Sequence, residues 1–118
     1  MRENILKSKS YAFALRVVKL YKYLNDNKEY VLSKQLLRSG TAVGALVREA
    51  EFGQSKADFT SKLSIALKEA NETHYWLSLL RDSGYIDVKM YDSILPEIEE
   101  LIRLLVSSVK TAKKNREK

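Results

Sequence analysis

The sequence predicts an all-α protein, an up-down-up-down four-helix bundle with a kinked fourth helix. Three observations point there. Apolar residues recur at i+3 and i+4 through four long stretches. The chain holds four Gly and one Pro, so few turns interrupt those stretches. No run alternates apolar with polar residues as a half-buried strand does. Long amphipathic helices with short links favour antiparallel neighbours. With 118 residues and no internal repeat or linker, the chain reads as one domain, 1–118.

The first helix is expected over about 9–25. At about 100° per residue, Lys9, Lys19, Lys22 and Asp26 share one arc. Phe13, Ala14, Val17, Val18, Leu20, Tyr21 and Leu24 fill the other side. That apolar arc covers nearly half the circumference, more than a simple surface helix needs. It fits a helix deeply packed in its own bundle, or one serving both a core and a subunit interface.

The second helix is expected over about 29–52. Leu32, Leu36, Ser39, Val43, Leu46 and Ala50 form its core stripe. Beside it stand Gly40 and Gly44. A mid-helix Gly costs about 1 kcal/mol relative to Ala and is tolerated where another backbone comes close. The pair therefore reads as a close-packing face; the alternative is a helix broken at Gly40. Gly53 suits the C-terminus of this helix, and Ser55 with Asp58 suits the N-terminus of the next.

The third helix is expected over about 56–83, with Phe59, Leu63, Ala66, Ala70, Thr73, Leu77 and Leu80 as its stripe and Gly84 as its stop. The fourth is expected over about 88–113, on Leu95, Ile98, Leu101, Ile102, Leu105 and Val109. Pro96 should kink it or divide off a short opening turn. A basic tail, 114–118, has no apolar partners and is expected to fray.

Net charge is +6, unevenly placed. Residues 1–28 hold seven Lys/Arg against two acids, and residues 110–118 five against one. Residues 29–86 balance at seven each, and residues 87–109 hold two bases against five acids. In an up-down-up-down bundle the start of the first helix and the end of the fourth share a pole. Arg2, Lys7 and Lys9 would then neighbour Lys110 to Lys118 as one positive patch. The chain has no Cys, no signal-peptide form and no apolar run long enough to span a membrane, which points to a cytoplasmic protein.

The stretch from Gln35 to Ile86 resembles the four-helix-bundle proteins encoded in 23S rRNA intervening sequences. The second-helix pattern matches at Gln35, Leu36, Arg38, Ser39, Gly40, Thr41, Gly44, Ala45, Glu49 and Ala50. The third-helix pattern matches at Phe59, Lys68, Glu69, Ala70, Glu72, Thr73, Tyr75, Trp76 and Leu77, followed by Gly84, Tyr85 and Ile86. The aromatic-rich first helix is similar too. In the family, a Ser and an Asn usually stand where this chain has Ala42 and Leu46. Losing both members of a polar pair is nearly neutral, whereas losing one strands its partner. The double change therefore marks that pair as structural.

The resemblance implies a homopentameric bundle. A related protein, the accessory variability determinant of diversity-generating retroelements, is also a pentameric bundle and works with nucleic acid and a reverse transcriptase. The expected function is a non-enzymatic nucleic-acid-binding or RNP-scaffold protein. Its candidate phosphate contacts are Lys7, Lys9, Arg16, Lys19, Lys22, Lys110, Lys113, Lys114 and Arg116. Arg38, Gly40, Gly44, Glu69, Glu72 and Trp76 are the candidate oligomer or packing residues. Arg38 is expected to pair with Glu69 or Glu72, within a subunit or across an interface. Two other classes compete. An oligomeric module docking another protein would use Trp76 and Tyr75 with the Glu69/Glu72 edge. An RNase-like enzyme would use His74, but Lys68 rather than Arg stands six positions before it, and Lys does not replace Arg in bidentate phosphate recognition. One His cannot supply a di-metal bundle site. No metal or other cofactor is expected.

Overall fold

The structure, a computed structural model, describes residues 2–116, with side chains described for 5–115. Arg2, Arg116 and Lys118 of the basic segments therefore have side chains outside the described residues. Four helices are present: α1 Arg2–Asp26, α2 Leu32–Glu51, α3 Lys56–Asp82 and α4 Val88–Arg116. No strand occurs among the described residues. The bundle measures 50 × 21 × 20 Å. Each helix packs on the next, and α4 returns to α1 in the sparsest of the pairings.

The pairings are antiparallel. Lys7 at the start of α1 meets Glu51 at the end of α2, and Lys62 near the start of α3 meets Glu49. Lys9 meets Glu100 well along α4. Leu6, Glu51, Phe59 and Ala112, one from each helix, line a single recess at one pole. The start of α1 and the end of α4 thus share that pole.

The expected stripes build the core. Phe13, Val17, Leu24, Leu36, Val43, Ala66, Ala70, Leu77, Leu80, Ile98 and Leu105 are fully buried. Burying a Leu, Ile, Val or Phe side chain contributes roughly 1.5–3 kcal/mol. The stripes, far more than the caps, therefore decide which face of each helix turns inward.

Helix ends depart from expectation for local reasons. α1 begins at Arg2 rather than near Lys9, because Leu6 is buried at the pole beside Val47, Leu63 and Ala112. It ends in a Schellman motif: Glu29 N–H bonds Leu24 O at 2.8 Å and Lys28 N–H bonds Asn25 O at 2.9 Å. Lys28 holds the left-handed position, φ +67°, without being Gly. α2 begins at Leu32 rather than Glu29. The buried Glu29 instead caps it, its carboxylate accepting the N–H groups of Val31, Leu32 and Ser33 at 2.7–3.2 Å. Burial pushes the Glu29 pKa up, but these backbone donors outweigh it and hold it below the usual carboxylate value.

α2 runs unbroken through both glycines. A Cβ on Gly40 would lie 2.8 Å from both Val17 methyls, and one on Gly44 would lie 3.3 Å from the Ser10 carbonyl oxygen. Both glycines let α1 lie close against α2. Ser55 caps α3 by accepting from Asp58 N–H at 3.0 Å. Gly84, φ +86°, closes it in a second Schellman motif, with Tyr85 N–H on Leu80 O at 2.9 Å and Gly84 N–H on Arg81 O at 3.1 Å. α4 is one helix through Pro96, so no opening turn is divided off. It continues to Arg116, past the expected end at Lys113, so the first residues of the expected tail are helical. Ala112, buried at the pole, ties down that last stretch.

Candidate nucleic-acid interface

The candidate cations divide into engaged and free. Lys7 pairs with Glu51 at 3.0 Å and Lys9 with Glu100 at 3.1 Å. Arg16 pairs with Glu97 and donates to Ser93 O at 3.0 Å and Ser93 Oγ at 2.9 Å. Pro96 has no N–H to offer Asp92 O, and the Arg16 guanidinium supplies donors to the adjoining turn. These half-exposed pairs contribute about 0–1 kcal/mol each. They do, however, occupy cations that would otherwise be open to phosphates.

Lys19, Lys22, Lys110, Lys113 and Lys114 are exposed and have no ion-pair partner among the described residues. They form two groups. Lys110, Lys113 and Lys114 stand near the end of α4, toward the pole that carries Lys7. Lys22 lies about 22 Å further along α1 than Lys7, at a rise of 1.5 Å per residue. Arg103, which sequence reasoning passed over, is also exposed and free of an ion pair among the described residues. Its spacing to Lys110 and Lys114 places all three on one face of α4. That spacing was the signal available in the sequence.

The candidate oligomer or packing residues have partners within the chain. Arg38 Nη1 meets Glu69 at 3.1 Å, Nη2 meets Glu72, and Nε reaches Gln35 Oε1 at 3.4 Å. Trp76 Nε1 donates to Glu72 Oε2 at 2.9 Å, and its ring meets Tyr75 edge-on at 5.0 Å. The indole N–H is the largest influence on Glu72; with Arg38 it outweighs burial and holds the carboxyl below its usual range. Burial works against the Arg38 charge, but its hydrogen bonds to Glu69 and Glu72 prevail and raise its pKa. Beneath this cluster Thr73 Oγ1 meets Ser39 Oγ at 2.9 Å and Glu69 O at 2.8 Å, with Ser39 and Thr73 fully buried. Gln35, Arg38, Ser39, Glu69, Glu72, Thr73 and Trp76 thus form one α2–α3 seam.

Other features surround these sites. Ile5, Tyr11 and Leu15 leave apolar surface exposed along α1. Between α1 and α4, where packing is sparsest, a groove of about 480 Å³ is lined by Lys19, Leu20, Tyr23, Lys89, Met90 and Ile94, with Arg16 and Ser93. Lys89 and Tyr23 carried no linear signal; antiparallel pairing brings them together. His74 is half-buried on α3 and Lys68 exposed. Among the described residues no His/Cys/Asp/Glu cluster has the arrangement to hold a metal ion, and no helix is long and apolar enough to cross a membrane.

Comparison with protein families matches residues 2–107 to the 23S rRNA-intervening sequence protein family. A crystal structure of a protein of unknown function from the S23 ribosomal protein family of Bacteroides thetaiotaomicron VPI-5482 is also similar. It is 56% identical, with a TM-score of 0.91 over 93% of this chain and 99% of that one. No curated protein matches the sequence.

Proposed function

The chain belongs to the 23S rRNA-intervening sequence protein family, and we propose that it is a non-enzymatic, homo-oligomeric nucleic-acid-binding or RNP-scaffold protein. The supporting observation is the set of free, exposed lysines on α1 and α4, set apart from a seam whose charges are already paired. Each lysine that neutralises a phosphate releases counterions, so affinity falls steeply with salt. One protomer presents few such lysines. A closed ring, a pentamer in this reading, repeats them and gains avidity with no change in the single site. Exposed Ile5, Tyr11 and Leu15 on α1 support self-association. No recognition-helix or RNP motif is present in the sequence, so the proposed contact is to the backbone rather than to base-pair edges.

A second reading, protein docking without nucleic acid, is favoured by exposed Tyr30, Val31, Tyr85 and Val88 in and beside the two loops at the pole opposite the chain ends. Fluorescence anisotropy with labelled RNA and duplex DNA from low to physiological salt separates the readings. Light scattering of the same samples is expected to give about five times the 13.6 kDa chain mass. No binding of either nucleic acid at low salt overturns the nucleic-acid reading, and a monomer mass overturns the oligomeric one.

A further inference from the structure

The α1–α4 groove combines features that phosphate binding alone does not require. Its floor is apolar: Ile94 is buried, and Leu20 and Met90 are half-buried. Tyr23 stands in its wall, 41% exposed. Lys19 and Lys89 stand at its edge, exposed and without ion-pair partners among the described residues. Arg16 is held by Glu97 and Ser93, so this wall is braced from α4. The groove's volume, about 480 Å³, falls within the roughly 300–1,000 Å³ of pockets that take small molecules.

We propose that this groove takes an unstacked nucleotide of a single-stranded nucleic acid, its base against Tyr23, Leu20 and Met90 and its flanking phosphates on Lys19 and Lys89. The inference rests on the nucleic-acid reading above and adds the strand state that is bound. Charge complementarity selects an anionic occupant. The apolar floor and the tyrosine select one with a flat, free face. A duplex offers phosphates but keeps its bases stacked and paired, so it cannot fill the floor. A single strand offers both, and base–aromatic stacking is tolerant of sequence.

The test uses the intact protein with a labelled single-stranded oligonucleotide, as RNA and as DNA, and a duplex of the same sequence. Tyr23→Ala is expected to weaken single-strand binding roughly 5- to 150-fold and to leave duplex binding within about 2-fold. Lys89→Gln is expected to lower the single-strand salt slope by about 0.7. Phe52→Ala, the loss of another exposed aromatic, just past the end of α2, is expected to change neither. Circular dichroism melts confirm that each variant is folded. Unchanged single-strand affinity in Tyr23→Ala overturns this inference while the general reading stands. So does an equal loss on single strand and duplex. If polyglutamate binds as well as the strand and is equally sensitive to Tyr23→Ala, the groove is an acidic-peptide site and the inference is likewise overturned. If the native protein binds no nucleic acid at low salt, both readings fail together.

Discussion

The buried hydroxyl pair Ser39–Thr73 gives the sharpest quantitative test of the α2–α3 seam. The Thr73 hydroxyl donates toward two acceptors, Glu69 O at 2.8 Å and Ser39 Oγ at 2.9 Å, and Thr73 is the side-chain partner of the Ser39 hydroxyl. Thr73→Val keeps the shape but strands the Ser39 hydroxyl without its side-chain partner, in a place with no exposed surface. A stranded buried polar group costs about 1–3 kcal/mol. Ser39→Ala leaves Thr73 its carbonyl and costs no more than about 1 kcal/mol, the net worth of one hydrogen bond. In the Ser39→Ala background the cost of Thr73→Val should fall to within about 0.5 kcal/mol, because two apolar groups now face each other. Urea unfolding at one fixed protein concentration, which keeps any assembly term constant, measures the cycle. A coupling energy of about 0.5–3 kcal/mol is expected, each kcal/mol worth roughly 4 °C in Tm. Additive single and double variants would refute the hydrogen-bond account of the seam.

Gly40→Ala gains about 1 kcal/mol of helix propensity. It also drives a Cβ to 2.8 Å from the Val17 methyls, an overpacking cost of about 1–3 kcal/mol at a stiff β-branched neighbour. Thermal melts should show a net loss that disappears when Val17→Ala is present. Lys28 and Gly84 share left-handed φ values of +67° and +86°, so their substitutions should have opposite signs: Lys28→Gly stabilising by up to about 1 kcal/mol, Gly84→Ala destabilising by about 1–2 kcal/mol. Glu29→Gln should cost about 1 kcal/mol at pH 7 as a lost cap. Because the folded Glu29 pKa lies below its usual 4.5, its contribution is present above that value and lost as pH falls through the folded pKa. Melts of the two proteins should therefore converge in acid.

Much of the fold was legible because burial follows helical periodicity. Of the residues placed on the core stripes, Leu36, Val43, Leu77, Leu80, Ile98 and Leu105 are buried as the i+3/i+4 pattern requires, whereas Leu32, Leu46, Phe59, Leu95 and Ile102 are half-buried at its margins. Ser55 and Gly84 announced the ends of α3 through local backbone chemistry. Glu29 did not announce the start of α2, because Glu is not among the usual N-cap residues; its role depends on the turn that Lys28 makes. The start of α1 was hidden because Leu6 gains its burial from residues of the three other helices. The fate of the cations was hidden for a similar reason. Arg16 and Glu97 stand 81 positions apart, and no linear pattern pairs them. Lys89 and Tyr23 come to line one groove only after α4 has returned to α1.

The division between a structural seam and a peripheral nucleic-acid surface is tested most directly by the salt dependence of RNA binding in two variants. One replaces Lys19, Lys22, Lys110, Lys113 and Lys114 with Gln; the other is Arg38→Gln. The lysine variant should keep the native Tm while its log–log salt slope drops by about 0.7 for each single-strand phosphate that the protein no longer neutralises. Arg38→Gln should lower Tm and leave the slope unchanged. A slope that falls in Arg38→Gln and persists in the lysine variant would contradict the division and place nucleic-acid binding on the seam.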